Sequence, residues 1–111
     1  MMAVNLRRGE IAALLDGRER RLCLTLGALA ELEVAFAADD LNTLVERFSA
    51  GRFAAADIIR IVGAGLRGAG DDVSDDDVKR MSCDGGAAGF AKIVADLLTQ
   101  TFGGAAVESG A

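Results

Sequence analysis

In separate segments between Leu29 and Leu98 the large apolar residues return every three or four positions, and no proline interrupts them. That spacing stacks side chains along one face of an α-helix, and proline is the residue that would break it. The pattern predicts a chain that is mostly helical from Leu26 onward. Over Leu26–Ala37, Leu29, Leu32 and Phe36 stand at i, i+3 and i+7. Asp39 or Asp40 can cap a second helix, in which Leu41, Leu44, Val45 and Phe48 hold the same rule until Gly51 stops it. A third helix, about Ala54 to Gly68, carries Ile58, Ile59, Ile61, Val62 and Leu66 over a wide arc and is expected to be central. Ser74 followed by Asp75, Asp76 and Asp77 offers an N-cap with acids in the first turn, favourable against the helix dipole. The short helix it opens shows Val78 and Met81 and is expected to end near Gly85–Gly86. The last helix, about Ala87 to Phe102, places Phe90, Ile93, Val94, Leu97 and Leu98 on one side.

The segment before Leu26 has a different period. Glu10–Leu15 leads into Asp16-Gly17, and Arg20–Leu26 follows, with Leu22, Leu24 and Leu26 alternating with Arg21, Cys23 and Thr25. An Asp-Gly pair between such runs favours a tight β-hairpin turn, because both residues tolerate positive φ. A two-stranded ribbon is marginal alone, so its apolar face must be covered by the helices. The fold class expected is α+β, mostly α: an N-terminal β-hairpin followed by four or five short packed helices. A chain of 111 residues is long enough to bury roughly two-thirds of its unfolded surface. No internal repeat or linker divides it, which predicts a single domain over residues 1–102 and a flexible C-terminal tail over 103–111.

Composition narrows the chemistry. Histidine is absent, which removes Ser-His-Asp and Cys-His catalysis, imidazole metal sites and the usual neutral-pH proton shuttle. Twelve Lys and Arg against 17 Asp and Glu give a net charge of −5, and Trp and Tyr are missing. Such a chain is a poor partner for nucleic acid, whose phosphates need cations to neutralise them. No apolar run approaches a membrane span, and the opening MMAVNLRRGE predicts no secretory leader. Cys23 and Cys83 stand sixty positions apart without a CxxC partner, so reduced thiols in a cytoplasmic protein are expected, and zinc is not.

Four motifs invite chemistry and each has a plainer explanation. Gly63-x-Gly65-x-x-Gly68 follows a β-branched run and matches the written form of a dinucleotide fingerprint. That motif needs a helix to open at its last glycine. Here Asp71, Asp72, Asp75, Asp76 and Asp77 come next and would repel a pyrophosphate, so a buried helix fraying through small residues is expected. The same acids suggest calcium, but an EF-hand loop counted from Asp72 has Asp77 where glycine is required and Cys83 where glutamate is. Asp16 with Glu19, or Glu31 with Glu33, could pair for acid–base work, yet turn and helix faces are the ordinary place for such residues. Arg7, Arg8, Arg18, Arg20 and Arg21 make the hairpin end basic against the acids of 71–77, a dipolar surface that could orient a protein partner. The pattern assigns no catalytic, cofactor-binding or metal-ligating residue, and predicts a protein that is not an enzyme.

An ordered series of segments adds a resemblance. Asn5-Leu6-Arg7-Arg8-Gly9-Glu10, Leu15-Asp16-Gly17, Leu22–Glu33, Leu44-Val45-Glu46-Arg47-Phe48 and Asp57-Ile58 together resemble the gene transfer agent tail protein family, over residues 5 to 100. Its members are small phage-derived proteins grouped with tail assembly chaperones. The resemblance implies a non-catalytic role in tail morphogenesis, as a chaperone that holds tape-measure or tail-tube protein until assembly. The alternative is a structural tail-tube or tail-completion component retained in the particle. A small regulatory module that binds an unrelated protein is a third reading.

Overall fold

The computed structural model describes residues 9–50 and 53–107. Arg7, Arg8, Gly51 and residues 108–111 of the expected tail lie outside the described residues. The architecture is the expected one: an antiparallel hairpin, β1 (Glu10–Leu15) and β2 (Arg18–Cys23), then α1 (Leu26–Ala35), α2 (Leu41–Ser49), α3 (Ala55–Gly68), α4 (Asp75–Lys79) and α5 (Gly86–Val107).

The hairpin turns as its Asp-Gly pair dictates, with φ of 55° at Asp16 and 76° at Gly17. Both angles lie in the left-handed region that a two-residue turn requires. Register follows from the turn: Leu15 faces Arg18, Ala13 faces Arg20 and Ile11 faces Leu22. Ile11, Leu15 and Leu22 point into the core and are buried, while Ala12 and Leu14 face outward and are exposed. β2 begins two residues earlier and ends three earlier than the Arg20–Leu26 run predicts. Thr25 is the reason. Its hydroxyl accepts the amide hydrogen of Ala28 at 3.1 Å and opens α1, so Leu26 falls in the first turn of a helix and is 75% exposed instead of continuing the strand's inward face.

Most helix boundaries have a cap that can be read from the chain. Asp40, not Asp39, opens α2 by accepting the Thr43 amide at 2.9 Å. At α4 the capping box is complete: Asp77 N donates to the Ser74 hydroxyl at 3.1 Å, and Ser74 N donates to the Asp77 carboxylate at 2.9 Å. Ala54 has no side chain to offer α3, and the Asp57 carboxylate accepts the Ala54 amide instead, at 3.0 Å. α2 already ends at Ser49, and α4 stops at Lys79, well before Gly85. α5 runs on to Val107, five residues past Phe102, so residues 103–107 of the expected tail are helical. Alanine, glycine and valine there supply no stop signal of the kind proline would give.

One core joins these elements. Leu15, Leu22, Leu32, Leu44, Ile61, Val62, Leu66, Val94 and Leu97 are fully buried, and no polar or charged residue is buried among the described residues. α3 is central as expected, with Ile61–Leu66 buried and Ile58 and Ile59 half-buried at its open end. On α2, Leu44 and Phe48 are buried, Val45 is half-buried and Leu41 is 38% exposed. Phe48 meets Phe36 edge-on with ring centroids 5.6 Å apart and lies 6.0 Å from Phe53. Arg47 stands 5.3 Å over the Phe36 ring and donates to the Phe36 carbonyl at 3.3 Å, fastening α2 to the end of α1.

Phe48→Asp should unfold the domain. Losing a buried ring costs about 3–5 kcal/mol before any charge is desolvated, a large part of a small domain's stability. Circular dichroism melts read the outcome, and an unchanged melting temperature would place that face outside the core. The caps give a second expectation. Hydrogen bonds from Ser74 hold the Asp77 carboxyl below its ordinary 3.8. Its contribution is complete above that unfolded value and is lost as pH falls through the lower folded one. Acid titration of stability should therefore be shallower below pH 3.8 in Asp77→Asn than in the parent chain.

Candidate functional site

The three glycines of the Gly63-x-Gly65-x-x-Gly68 motif lie inside α3, and the helix continues through all of them without fraying. Each is a point of close approach. A Cβ at Gly65 would come within 2.8 Å of Leu97 and 3.2 Å of Leu22, and one at Gly68 would overlap the carbonyl oxygen of Cys23. A Cβ at Gly63 would overlap the carboxylate of Asp75. Gly65 and Gly68 thus seat α3 against β2 and α5, and Gly63 seats it against the first turn of α4. The motif is packing, and no helix opens at Gly68 to receive a phosphate.

The acidic segment is organised around one cation. Arg67, the next-to-last residue of α3, donates to Asp75 Oδ1 at 3.1 Å and to the Val73 carbonyl at 3.0 Å, and pairs through its other Nη with Glu31 of α1. Its pKa is raised, chiefly by the Glu31 hydrogen bond and further by Asp75, against an opposing effect of partial burial. Arg20 of β2 reaches Asp71 at 3.3 Å, Lys79 reaches Asp76 at 3.1 Å and Arg80 reaches Asp77 at 3.2 Å. Among the described residues no group of three or more Cys, Asp and Glu stands close enough to hold a metal ion. The basic hairpin and the acidic segment are neighbours in space. The two charge clusters touch at Arg20–Asp71, while Arg21 pairs with Glu10 inside the hairpin.

The proposed carboxylate pairs do not converge. Asp16 accepts the amide and hydroxyl of Ser82 at 2.9 and 3.1 Å, and its own amide donates to the Ser82 carbonyl at 2.8 Å, tying the hairpin tip to the segment between α4 and α5. Glu31 is held by Arg67. Cys23 is buried and Cys83 half-buried, and neither is in a disulfide. Burial, with the charge of Asp84 behind it, pushes the Cys83 thiol up, away from a reactive thiolate. A hollow of about 150 Å³ between Ile58, Ile59, Val78, Met81 and Phe90 is mostly apolar, with Lys79 the one charged residue in its lining.

What sequence reasoning missed is α1. The residues LGALAELEVA are apolar around most of the circumference, and only one side is used internally. Ala28, Leu29 and Leu32 are buried, whereas Leu26 is 75% and Val34 83% exposed, with exposed Ala30 between them. Positions 26, 30 and 34 stand at i, i+4 and i+8, on one stripe of the helix. Glu31 and Glu33 flank this stripe, which leaves a narrow apolar strip on the outer side of α1. The signal was present as Leu26 and Val34, apolar residues that fall off the Leu29–Leu32–Phe36 face.

The described residues therefore define a small helical protein built on a β-hairpin, with an exposed apolar stripe on α1. A family model described as "Phage tail tube protein, GTA-gp10" matches residues 8–104, and the chain belongs to that family. It is a phage-tail protein of the gene transfer agent type, as the resemblance implied. No curated protein and no solved structure matches the chain. Among the described residues no helix is long and apolar enough to cross a membrane.

If the glycine motif is packing, Gly68→Ala should lower stability by about 1–3 kcal/mol or unfold the chain, because the overlapped atom belongs to the backbone of β2. Urea titration tests this. Unaltered stability would mean that α3 has room at that position and that the close approach is not what holds it.

Proposed function

We propose that this tail protein is non-catalytic and acts through protein contact during tail morphogenesis in the cytoplasm of the host cell, as a chaperone for tape-measure or tail-tube protein. The observation that carries the reading is the exposed Leu26–Ala30–Val34 stripe on an otherwise well-packed domain. A chaperone must offer apolar surface to its client while free, and patches of that kind mark interaction sites. The sheet supports it as well. A tube wall needs strands hydrogen-bonded edge to edge around a ring, and the described residues contain one two-stranded sheet.

A second reading is favoured by a specific finding: the family's printed description names the tail tube, which speaks more directly for a component retained in the particle than for a chaperone. Tail-tube or tail-completion protein is the form this would take. Copy number separates the two readings, because a chaperone leaves and a component stays.

Co-expression with the tape-measure and tail-tube proteins of the same tail cluster is the test. The chaperone reading expects this chain to keep one of them soluble and to co-purify with it, and expects Leu26→Glu with Val34→Glu to abolish capture at unchanged melting temperature. Failure to bind either client, with stoichiometric presence in purified particles, would make the chain a structural component.

A further inference from the structure

The hairpin has one edge that is open, and its chemistry selects a partner. In a two-residue hairpin the closing pair, here Leu15 and Arg18, exchanges both backbone hydrogen bonds, and such pairs then alternate along the ladder. Ala13–Arg20 and Ile11–Leu22 are the next bonded pairs, so the N–H and C=O groups of Ala12 and Leu14 point away from β2, toward the outer edge of β1. Among the described residues neither makes a further hydrogen bond, and both are exposed, Leu14 at 56%. The other edge is managed differently. α3 presses on the carbonyl of Cys23 at one end of β2, and the charged side chains of Arg18, Glu19 and Arg21 guard the remainder. Charged residues blunt an edge, and β1 has none at its centre.

We propose that the β1 edge pairs antiparallel with β1 of a second copy of this chain, joining two hairpins into a four-stranded sheet ordered β2-β1-β1-β2. In that register Ala12 and Leu14 of one copy exchange hydrogen bonds with Leu14 and Ala12 of the other, and each Leu14 covers the opposite alanine. An isologous contact needs a self-complementary patch, which an uncharged Ala12–Leu14 edge provides. Charge supports the same occupant. The chain carries −5, but within the hairpin Arg18, Arg20 and Arg21 balance Glu10, Asp16 and Glu19. Two copies meet there without the repulsion that the rest of the surface would impose. The additional strands also supply what a lone ribbon lacks, since three or more strands make a sheet independently stable. Because α3 blocks one end of the β2 edge and charged side chains guard the remainder, the sheet ends at four strands and the product is a dimer, not a filament.

The inference does not depend on whether the protein is a chaperone or a retained component. Sedimentation equilibrium of the purified chain across a wide concentration range should show its mass rising from 11.4 kDa toward that of two chains. Hydrogen exchange at the Ala12 and Leu14 amides should slow as the dimer forms. Leu14→Lys, at an exposed position, should weaken association by roughly tenfold or more, because it removes the leucine that covers the opposite Ala12 and sets two cations at diagonal positions on one face of the new sheet. Ala12→Pro removes the outward N–H without touching a bond to β2 and should abolish association; if that variant misfolds, Leu14→Lys alone carries the test. Val34→Lys on α1 should leave association unchanged. A single-chain mass at every concentration overturns the proposal. So does a dimer that survives Leu14→Lys, or one in which the Ala12 and Leu14 amides exchange freely, either of which would move the interface elsewhere.

Discussion

The approach of α3 to β2 is the constraint on which the rest of this fold depends. Gly65 and Gly68 remove the two side chains that would hold the helix off the strand, so α3 lies directly on Leu22 and on the Cys23 carbonyl. Leu97 of α5 fills the other side of Gly65, which makes one helical position the meeting point of strand and both long helices. Close packing at that point leaves little room for relaxation, and interiors of such density feel the addition of a single methyl group. A two-residue turn, two short strands and a fourteen-residue helix thereby become one rigid unit to which α1, α2 and α4 are attached.

Each of those helices sinks apolar side chains into the common core, Leu29 and Leu32 from α1, Leu44 and Phe48 from α2 and Val78 from α4, and ionic or aromatic contacts nearer the surface supplement them. Arg67 joins α3 to α1 through Glu31 and to α4 through Asp75, Arg20 joins β2 to the segment before α4 through Asp71, and Arg47 joins α2 to Phe36. Exposed pairs of this kind add little energy individually. Their geometry matters more: three arginines fix where the smaller helices stand relative to a core that already holds together. The acids of 71–77, which read in sequence as a possible cation site, are arranged as caps and partners for this purpose.

Much of this was legible in the chain and the remainder was not, for identifiable reasons. Periodicity of 3.6 located α1, α2, α3 and α5 because each buries one face, and Asp16-Gly17 fixed the hairpin because few residue pairs adopt its dihedrals. Ends were harder. Thr25 stops β2 and starts α1, a competition between a strand alternation that Leu26 would have continued and a cap that only the three-dimensional chain reveals. α5 outran Phe102 because helix termination by small residues is weak, and nothing in Gly103-Gly104-Ala105-Ala106-Val107 forbids another turn. The role of the α3 glycines was invisible for a different reason. The same three letters serve phosphate binding and close packing, and only the neighbours in space tell which.

The exposed face of α1 and the open edge of β1 also explain each other. A domain of this size has few large apolar residues to spare, so leaving Leu14, Leu26 and Val34 in water costs roughly 1–2 kcal/mol apiece relative to burial. Such residues persist where another surface covers them for part of the protein's life. Leu14 lies on a strand edge whose backbone groups demand a strand, whereas Leu26 and Val34 lie on a helix whose backbone is already satisfied and which offers side chains alone. The two surfaces therefore ask for different partners. An edge of fixed register suits a copy of the same chain, and a smooth apolar stripe suits a client whose identity is set by hydrophobicity and not by hydrogen bonds. A tail protein that used both would present its α1 stripes in pairs, and a paired stripe grips a client through two weak contacts held at one effective concentration, more firmly than either copy could alone.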